Sequence, residues 1–250
     1  SGGASGGLPQ QAARGPSAQD LLEIEWKYPV FKAESKLTDD GRTVAGTVQR
    51  ALPLEEAFAY LAGEDPRPLL VLRECLVCNG TDEALLGAEA DNEKTILLTR
   101  WFHCVKLPVD VMLKEDHPFH ALFDGKSPPH LFVCDANGEN LTPLESERSR
   151  TELWDVLGSA LKRNYKKDAR KSLKQLAKLL DRYDVLDEQI AELEQSFERT
   201  VETKGPDSSK LTKIKKDLDK RKQELAELDA DFAKASELQV IQPAPAPANG

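Results

Sequence analysis

The chain has 250 residues, 40% of them hydrophobic and 31% charged, so it can bury a sizeable core and still carry an accessory element. Its net charge of -9 runs against the phosphate neutralisation that nucleic-acid binding needs, and no basic patch mixed with aromatics offsets it. No apolar run approaches the length that spans a membrane, and four cysteines are too few for a disulfide-held scaffold of this size.

Residues 1–20 are rich in Gly, Ser, Gln and Ala and are expected to form a disordered tether, having little to bury. The chain starts at Ser1 without a hydrophobic leader, which reads as a processing or cloning junction and leaves the compartment open. A soluble protein is expected, with the cell envelope or the exterior as candidate locations once a leader is removed. Residues 21–50 read as a short extended segment, because Leu22-Glu23-Ile24-Glu25-Trp26 alternates like a strand and Asp39-Asp40-Gly41 resembles a turn.

From residue 51 the pattern strengthens. Leu54 to Leu61 predicts a helix, with Glu55 and Glu56 in its first turn and Gly63-Glu64-Asp65-Pro66 as its stop. Leu69-Leu70-Val71-Leu72 predicts a buried strand that empties through Glu74-Cys75-Leu76-Val77-Cys78 into a helix start near Thr81. Unpaired N–H groups and the helix dipole stabilise a thiolate at such a junction. Further pieces follow: a helix over Asn92 to Thr99, a strand over Phe102 to Leu107, a short helix over Pro118 to Phe123, a strand over Leu131 to Cys134, and the turn Asp135-Ala136-Asn137-Gly138. An edge strand near Leu141 and a helix from Arg150 to Asn164 close the unit. The alternation of helices and strands predicts an α/β fold.

Residues 51–164 resemble a thioredoxin-fold domain. The likeness rests on Leu54-Glu55-Glu56-Ala57, Arg67-Pro68-Leu69-Leu70-Val71, the two cysteines, the strand at Phe102 to Leu107, Pro129 just before a strand, and the hairpin turn from Asp135 to Glu139. The resemblance implies a three-layer α/β domain in which Pro129 is cis and abuts the reactive cysteine, with His130 beside it as part of the substrate-binding surface. The active-site motif departs from the family: strongly active members carry Trp-Cys-Gly-Pro-Cys, whereas Leu76-Val77 lies between the cysteines here and the tryptophan is absent. Two registers stay open. Cys75 is the nucleophile and Cys78 resolves it, or Cys78 takes the nucleophile's place and Thr81 the resolver's, with Cys75 a partner at the end of the strand; the second is favoured by position, since Cys78 is nearer the helix start.

Residues 165–238 change character. Leu173, Leu176, Leu180, Tyr183, Leu186, Ile190, Leu193, Phe197 and Val201 recur every three or four residues; Gly205-Pro206-Asp207-Ser208 interrupts them, and Leu211, Ile214, Leu218, Leu225, Leu228 and Phe232 resume. This predicts an antiparallel coiled-coil hairpin with arms of about 45 Å. Residues 239–250 are a Pro/Ala-rich tail.

Cys104 and Cys134 lie in apolar strands and are expected to be buried core. His103 and Cys104, on opposite sides of one strand, do not make a closed zinc cluster; no metal site and no cofactor are expected, with copper held by two thiolates left open as the alternative. His117 and His120 are read as surface residues. The expected function is thiol–disulfide oxidoreduction, with a protein disulfide or thiol as the partner of Cys75 and Cys78. The alternative is a non-catalytic interaction protein that uses residues 165–238 for self-association or for a protein partner.

Overall fold

The computed structural model describes residues 14–30, 51–74, 85–87, 92–125, 128–144 and 149–241. They divide into two compact units, one holding Ile24–Leu173 with the chain from Ser236 onward, the other holding the residues up to Glu23 with Lys174–Ala235.

The first unit is a mixed α/β structure built on the strand β1, Leu69–Arg73, whose first four residues are entirely shielded from solvent. Only a central strand covered on both faces can carry so continuous an apolar run. Its neighbours are β2, His103–Leu107, and β3, Leu131–Cys134; β4, Thr142–Pro143, follows at the edge, so the order is β2-β1-β3-β4. β1 pairs parallel with β2, in a register that sets Leu70 against Cys104, and antiparallel with β3, setting Leu69 against Cys134. Beyond β2, Lys27 makes a parallel bridge to Val105, its N–H donating to the Cys104 carbonyl at 2.8 Å while its own carbonyl accepts from Lys106 N at 2.8 Å. The strand expected over Leu22 to Trp26 is thus reduced to this one bridge.

Because strand side chains alternate, Leu69, Val71, Val105, Leu107, Phe132 and Cys134 share one face. The helix α2, Leu54–Ala62, covers it with Ala57, Phe58, Leu61 and Ala62, joined by Val111, Phe119, Leu122 and Phe123. The opposite face meets α5, Arg150–Asn164, which contacts β3 and α3, Glu93–Thr99. α5 begins where Ser149 accepts from Glu152 N and Glu152 returns a bond to Ser149 N, a reciprocal cap that satisfies two orphan donors. The helix expected over Pro118 to Phe123 contracts to a 3₁₀ turn, His120–Phe123, and a short α4, Asp110–Leu113, precedes it.

The unit does not end at residue 164. Tyr165 is buried, its hydroxyl donates to the Trp101 carbonyl at 2.8 Å, and its backbone bridges to Val240. Lys166 N donates to Gln239 O at 3.0 Å, Ile241 N to Asn164 O at 2.8 Å, and the Trp101 indole to Ser236 O at 2.8 Å. The returning chain is therefore stitched to the sheet unit, which moves both boundaries of the expected 165–238 segment inward.

The second unit contains most of α6, Ala169–Lys204, and α7, Ser209–Ser236, separated by Gly205 with φ 79°. Tyr183 donates to Asp229 at 2.6 Å and stacks edge-on against Phe232; farther along, Lys222 pairs with Glu194 at 3.6 Å and Lys215 lies over the Phe197 ring. The contacts thus advance along one helix as they recede along the other. Residues 14–20, expected to be part of a tether, are ordered by specific bonds: α1, Pro16–Asp20, buries Ala18, Arg14 pairs with Asp181 and Asp184 at 2.7 and 2.6 Å, and Ser17 gives both its N–H and its hydroxyl to Asp187. Composition could not reveal this, because the segment is held chiefly by hydrogen bonds to three aspartates, with Ala18 alone buried. Among the described residues, no helix is long and apolar enough to cross a membrane.

Gly138 closes the turn after β3, its N–H donating to Asp135 O at 2.8 Å with φ at 83°. A Cβ there would overlap the ring of Phe58, so strain and steric conflict act together. Gly138→Ala is expected to cost about 2–3 kcal/mol, seen in urea unfolding as a lower midpoint with an unchanged slope.

Candidate thiol site at the end of the central strand

The ladder around β1 continues one residue past the strand. Arg73 N donates to His130 O at 2.9 Å and Glu74 N donates to Leu107 O at 2.8 Å, so the backbone is held from both sides at the point where it heads for residue 75. Cys75 and Cys78 themselves, with Thr81, lie outside the described residues. Pro129 and His130 are described, and the hydrogen bond from Arg73 sets them beside the strand exit. The expected cis proline is a correction: no cis peptide bond occurs among the described residues, so the Pro128–Pro129 bond is trans. The trans form is already favoured by about 0.5–1 kcal/mol before proline, and the Arg73–His130 bond forms without isomerisation.

Three charged side chains stand at this end of the sheet. Lys106 Nζ lies 4.0 Å from Glu74 Oε1 and 6.0 Å from the centre of the Trp26 ring. Arg73 differs from it. Its guanidinium carbon lies 5.6 Å from the centre of the Phe123 ring, and its Nε is shielded from solvent with no hydrogen-bond acceptor. Burial alone lowers its pKa from the ordinary arginine value.

The other two cysteines are inert by contrast. Cys104 and Cys134 are free, buried, and opposite adjacent residues of β1, so they project to opposite faces of the sheet. Burial pushes each thiol up to about 12, and the Cys104 sulfur lies 3.5 Å from Thr99 O. Among the described residues no group of three or more His, Cys, Asp or Glu side chains is placed to hold a metal.

The histidines serve local structure. His120 Nδ1 lies 2.9 Å from Val111 O, and Phe119 N donates to His117 Nδ1 at 3.2 Å. His103, first residue of β2, meets Asp65 through Nδ1 at 2.8 Å. Asp65 also accepts from the Arg67 side chain, at 2.6 and 3.0 Å, and from Arg67 N, while Arg67 reaches the Arg100 carbonyl at 3.0 Å. Sequence reading treated Asp65-Pro66 only as a helix stop. An aspartate two residues before an arginine is also an Asx-turn signal, although the pairing with His103 is long-range and carries no local mark.

Burial would raise the Asp65 pKa, but the bonds from Arg67 and His103 outweigh it and hold the carboxyl well below its usual range. A depressed carboxylate contributes stability above its unfolded pKa and loses it as pH falls toward the folded one. This cluster ties the starts of β1 and β2, at the opposite end of β1 from Glu74, and is structural.

Scans against protein-family models and searches of curated proteins and of solved structures find no match to this chain.

Asp65→Asn should lower unfolding free energy by about 1–2 kcal/mol at pH 7, a charge-assisted value reduced for partial exposure. The difference from wild type should narrow as pH drops below about 4, measured by urea unfolding at pH 7, 5 and 3. A second check concerns the buried thiols. In native protein near pH 8, Cys104 and Cys134 should resist iodoacetamide, and both should label once the chain is unfolded in guanidinium.

Proposed function

We propose that the sheet unit is a thioredoxin-like domain acting in thiol–disulfide exchange on protein substrates. The observation that carries the reading is the meeting of three chain segments at one strand end. β1 runs into Cys75-Leu76-Val77-Cys78, Pro129-His130 is hydrogen-bonded beside that exit, and β2 and β3 flank β1, parallel on one side and antiparallel on the other. This order, with Lys27 extending the sheet beyond β2 and helices on both faces, supports the family resemblance.

In the proposed reaction one cysteine of the pair, as thiolate, attacks a sulfur of the substrate disulfide. A mixed disulfide forms and the substrate's other sulfur leaves as a thiolate that takes a proton from solvent. The second cysteine then attacks the mixed disulfide, so two electrons pass from the Cys75–Cys78 dithiol to the substrate; run in reverse, the same steps oxidise a substrate dithiol. Cys78 remains the favoured nucleophile from its position in sequence. Cys104 and Cys134 take no part, since burial keeps both protonated.

The two long helices are read as an antiparallel coiled-coil hairpin, supported by the opposed order of the Tyr183–Asp229, Glu194–Lys222 and Phe197–Lys215 contacts. They would serve as a contact arm for self-association or for a protein partner. A second reading, a non-catalytic interaction protein, is favoured by the trans Pro128–Pro129 bond together with the absent Trp-Cys-Gly-Pro motif.

Equilibration of the full chain in glutathione buffers, followed by acid quench, alkylation and peptide mass spectrometry, separates the two. Exchange activity requires a reversible Cys75–Cys78 disulfide, and Cys75→Ser should then trap a mixed disulfide with glutathione on Cys78. If both thiols alkylate fully after oxidation, the oxidoreductase reading is wrong and the interaction reading stands.

A further inference from the structure

The seam between the two long helices contains one charged layer. In α6, Leu176, Leu179, Tyr183, Leu186, Ile190 and Leu193 recur at alternating steps of three and four, and in α7 Ile214, Leu218, Leu225 and Leu228 keep the same period. The step between Leu218 and Leu225 falls on Arg221. A polar residue at such a position fixes register at a cost in stability. Arg221 Nη1 donates to Glu224 at 2.6 Å, and a groove of about 430 Å³ opens beside it, walled by Arg182, Val185, Leu186 and Gln189 of α6 and by Glu224 and Glu227 of α7.

This groove lies on a flank of α6 away from α1. At about 3.6 residues per turn, Asp184 and Asp187, which hold α1, project to a different side from Arg182, Val185 and Gln189. Val185 is 52% exposed. Gln189 Oε1 is shielded from solvent and has no hydrogen-bond donor among the described residues, and an unmet acceptor of that kind costs about 1–3 kcal/mol. Farther toward the linking turn, Ile190, Leu193, Phe197, Ile214 and Leu218 are only half covered. The pair of helices thus has an unfinished side.

The charges along that side select what finishes it. Arg182, Glu192 and Arg199 follow one another along the exposed edge of α6. Asp231, Lys220 and Asp217 stand at matching heights on α7, in the register set by the Tyr183–Asp229 and Glu194–Lys222 contacts. Each height carries opposite signs. Within one copy Arg182 reaches Asp231 at 3.8 Å, whereas Lys220 lies 3.9 Å from Glu224 of its own helix and the other two heights stay open among the described residues. A two-fold axis parallel to the helices sets α6 of one copy against α7 of the other at unchanged height, so each opposed pair forms twice across an isologous interface. Turning the second copy end for end sets α6 against α6 and loses the match.

We propose that this face docks a second copy of the chain, with the two helix pairs side by side and both linking turns at the same end. Four helices, each antiparallel to its neighbours, then close the seam. Val185 is covered, and the second copy's α7 brings Lys220 and Arg221 within one helical turn of Gln189, where either supplies the donor that its Oε1 lacks. The proposal rests on reading the two helices as a contact arm, and it names the occupant of that arm.

Sedimentation velocity of the full chain with reductant present, from low to high micromolar concentration, should show a monomer–dimer equilibrium. Val185→Glu, at an exposed site, should weaken dimerisation by about tenfold or more with an unchanged circular dichroism spectrum. Glu192→Lys and Lys220→Glu should each weaken it several-fold. Mixing these two single variants should recover association, because each meets opposite charge in the other copy while like charges still face each other within its own pair of helices. If the charges act only within one copy, the variants shift thermal unfolding and the mixture gains nothing, and that result overturns the proposal. So does a full chain that stays monomeric at high micromolar concentration, or a dimer indifferent to Val185→Glu. Should Val185→Glu fail to fold, the mixture decides alone. A monomeric chain leaves the arm to a different protein partner and an indifferent dimer moves self-association to another surface, so either result removes this inference and spares the contact-arm reading.

Discussion

Leu69 to Leu72 leave nothing to solvent on either side, and their backbone is bonded to β2 along one edge and to β3 along the other. A strand so apolar is stable only where both faces are covered and both edges paired, and the rest of the unit follows from meeting those conditions. α2 with the 3₁₀ turn covers one face and α5 approaches the other. Residues far apart in sequence, Leu107 and His130, reach the last backbone donors, at Glu74 and Arg73. The chain then leaves the sheet at a defined point and in a defined direction. Reactive groups are well placed at such a point, because a rigid scaffold fixes the start of a segment whose own conformation is set by other demands.

The second core is organised differently. In the helical unit, Leu176, Leu180 and Leu228 are fully buried and Tyr183 nearly so, whereas Ile190, Leu193, Phe197 and Val201 toward the linking turn are only partly covered. The seam is thus tightest near the residues that α1 also touches, where Arg14 and Ser17 engage Asp181, Asp184 and Asp187. Three aspartates along one helix face repel one another. A guanidinium, two backbone N–H groups and a hydroxyl arriving together give each of them a donor. The N-terminal segment of the described chain is therefore a component of that unit, and the Tyr165–Val240 bridge makes the end of the described chain a component of the other.

Periodicity made several helices and strands of residues 51–164 legible, although the helix expected over Pro118 to Phe123 is a 3₁₀ turn and α4 carried no signal. α5 spans the expected Arg150 to Asn164, and β3 is the run Leu131 to Cys134. Local patterns of that kind are the ones a sequence prints directly. What escaped was held by long-range polar contacts. The docking of residues 14–20, the tail bonds at Asn164 to Lys166 and the Asp65–His103 pair join positions separated by tens of residues or more, and no spacing rule anticipates them. The candidate site was legible in the same proportion. The strand end followed from the apolar pattern, the isomer of Pro129 did not follow from the resemblance, and nothing in the sequence marked Arg73 as a residue whose Nε is shielded without an acceptor.

Burial sorts the ionisable groups of the sheet by what they can do. Cys104 and Cys134, enclosed between helices and sheet, are pushed up to about 12, so a thiolate in the core is out of reach at neutral pH and those residues are volume. Asp65 is partly buried too, yet it remains charged because Arg67 and His103 supply donors that outweigh desolvation. Arg73 is the third case: its Nε is shielded from solvent without an acceptor, and burial lowers its pKa from the ordinary arginine value. At the start of β1 the fold balances a partly buried charge through Asp65, Arg67 and His103, whereas at its finish the Arg73 guanidinium rests against the Phe123 ring and keeps the solvent on its outer side.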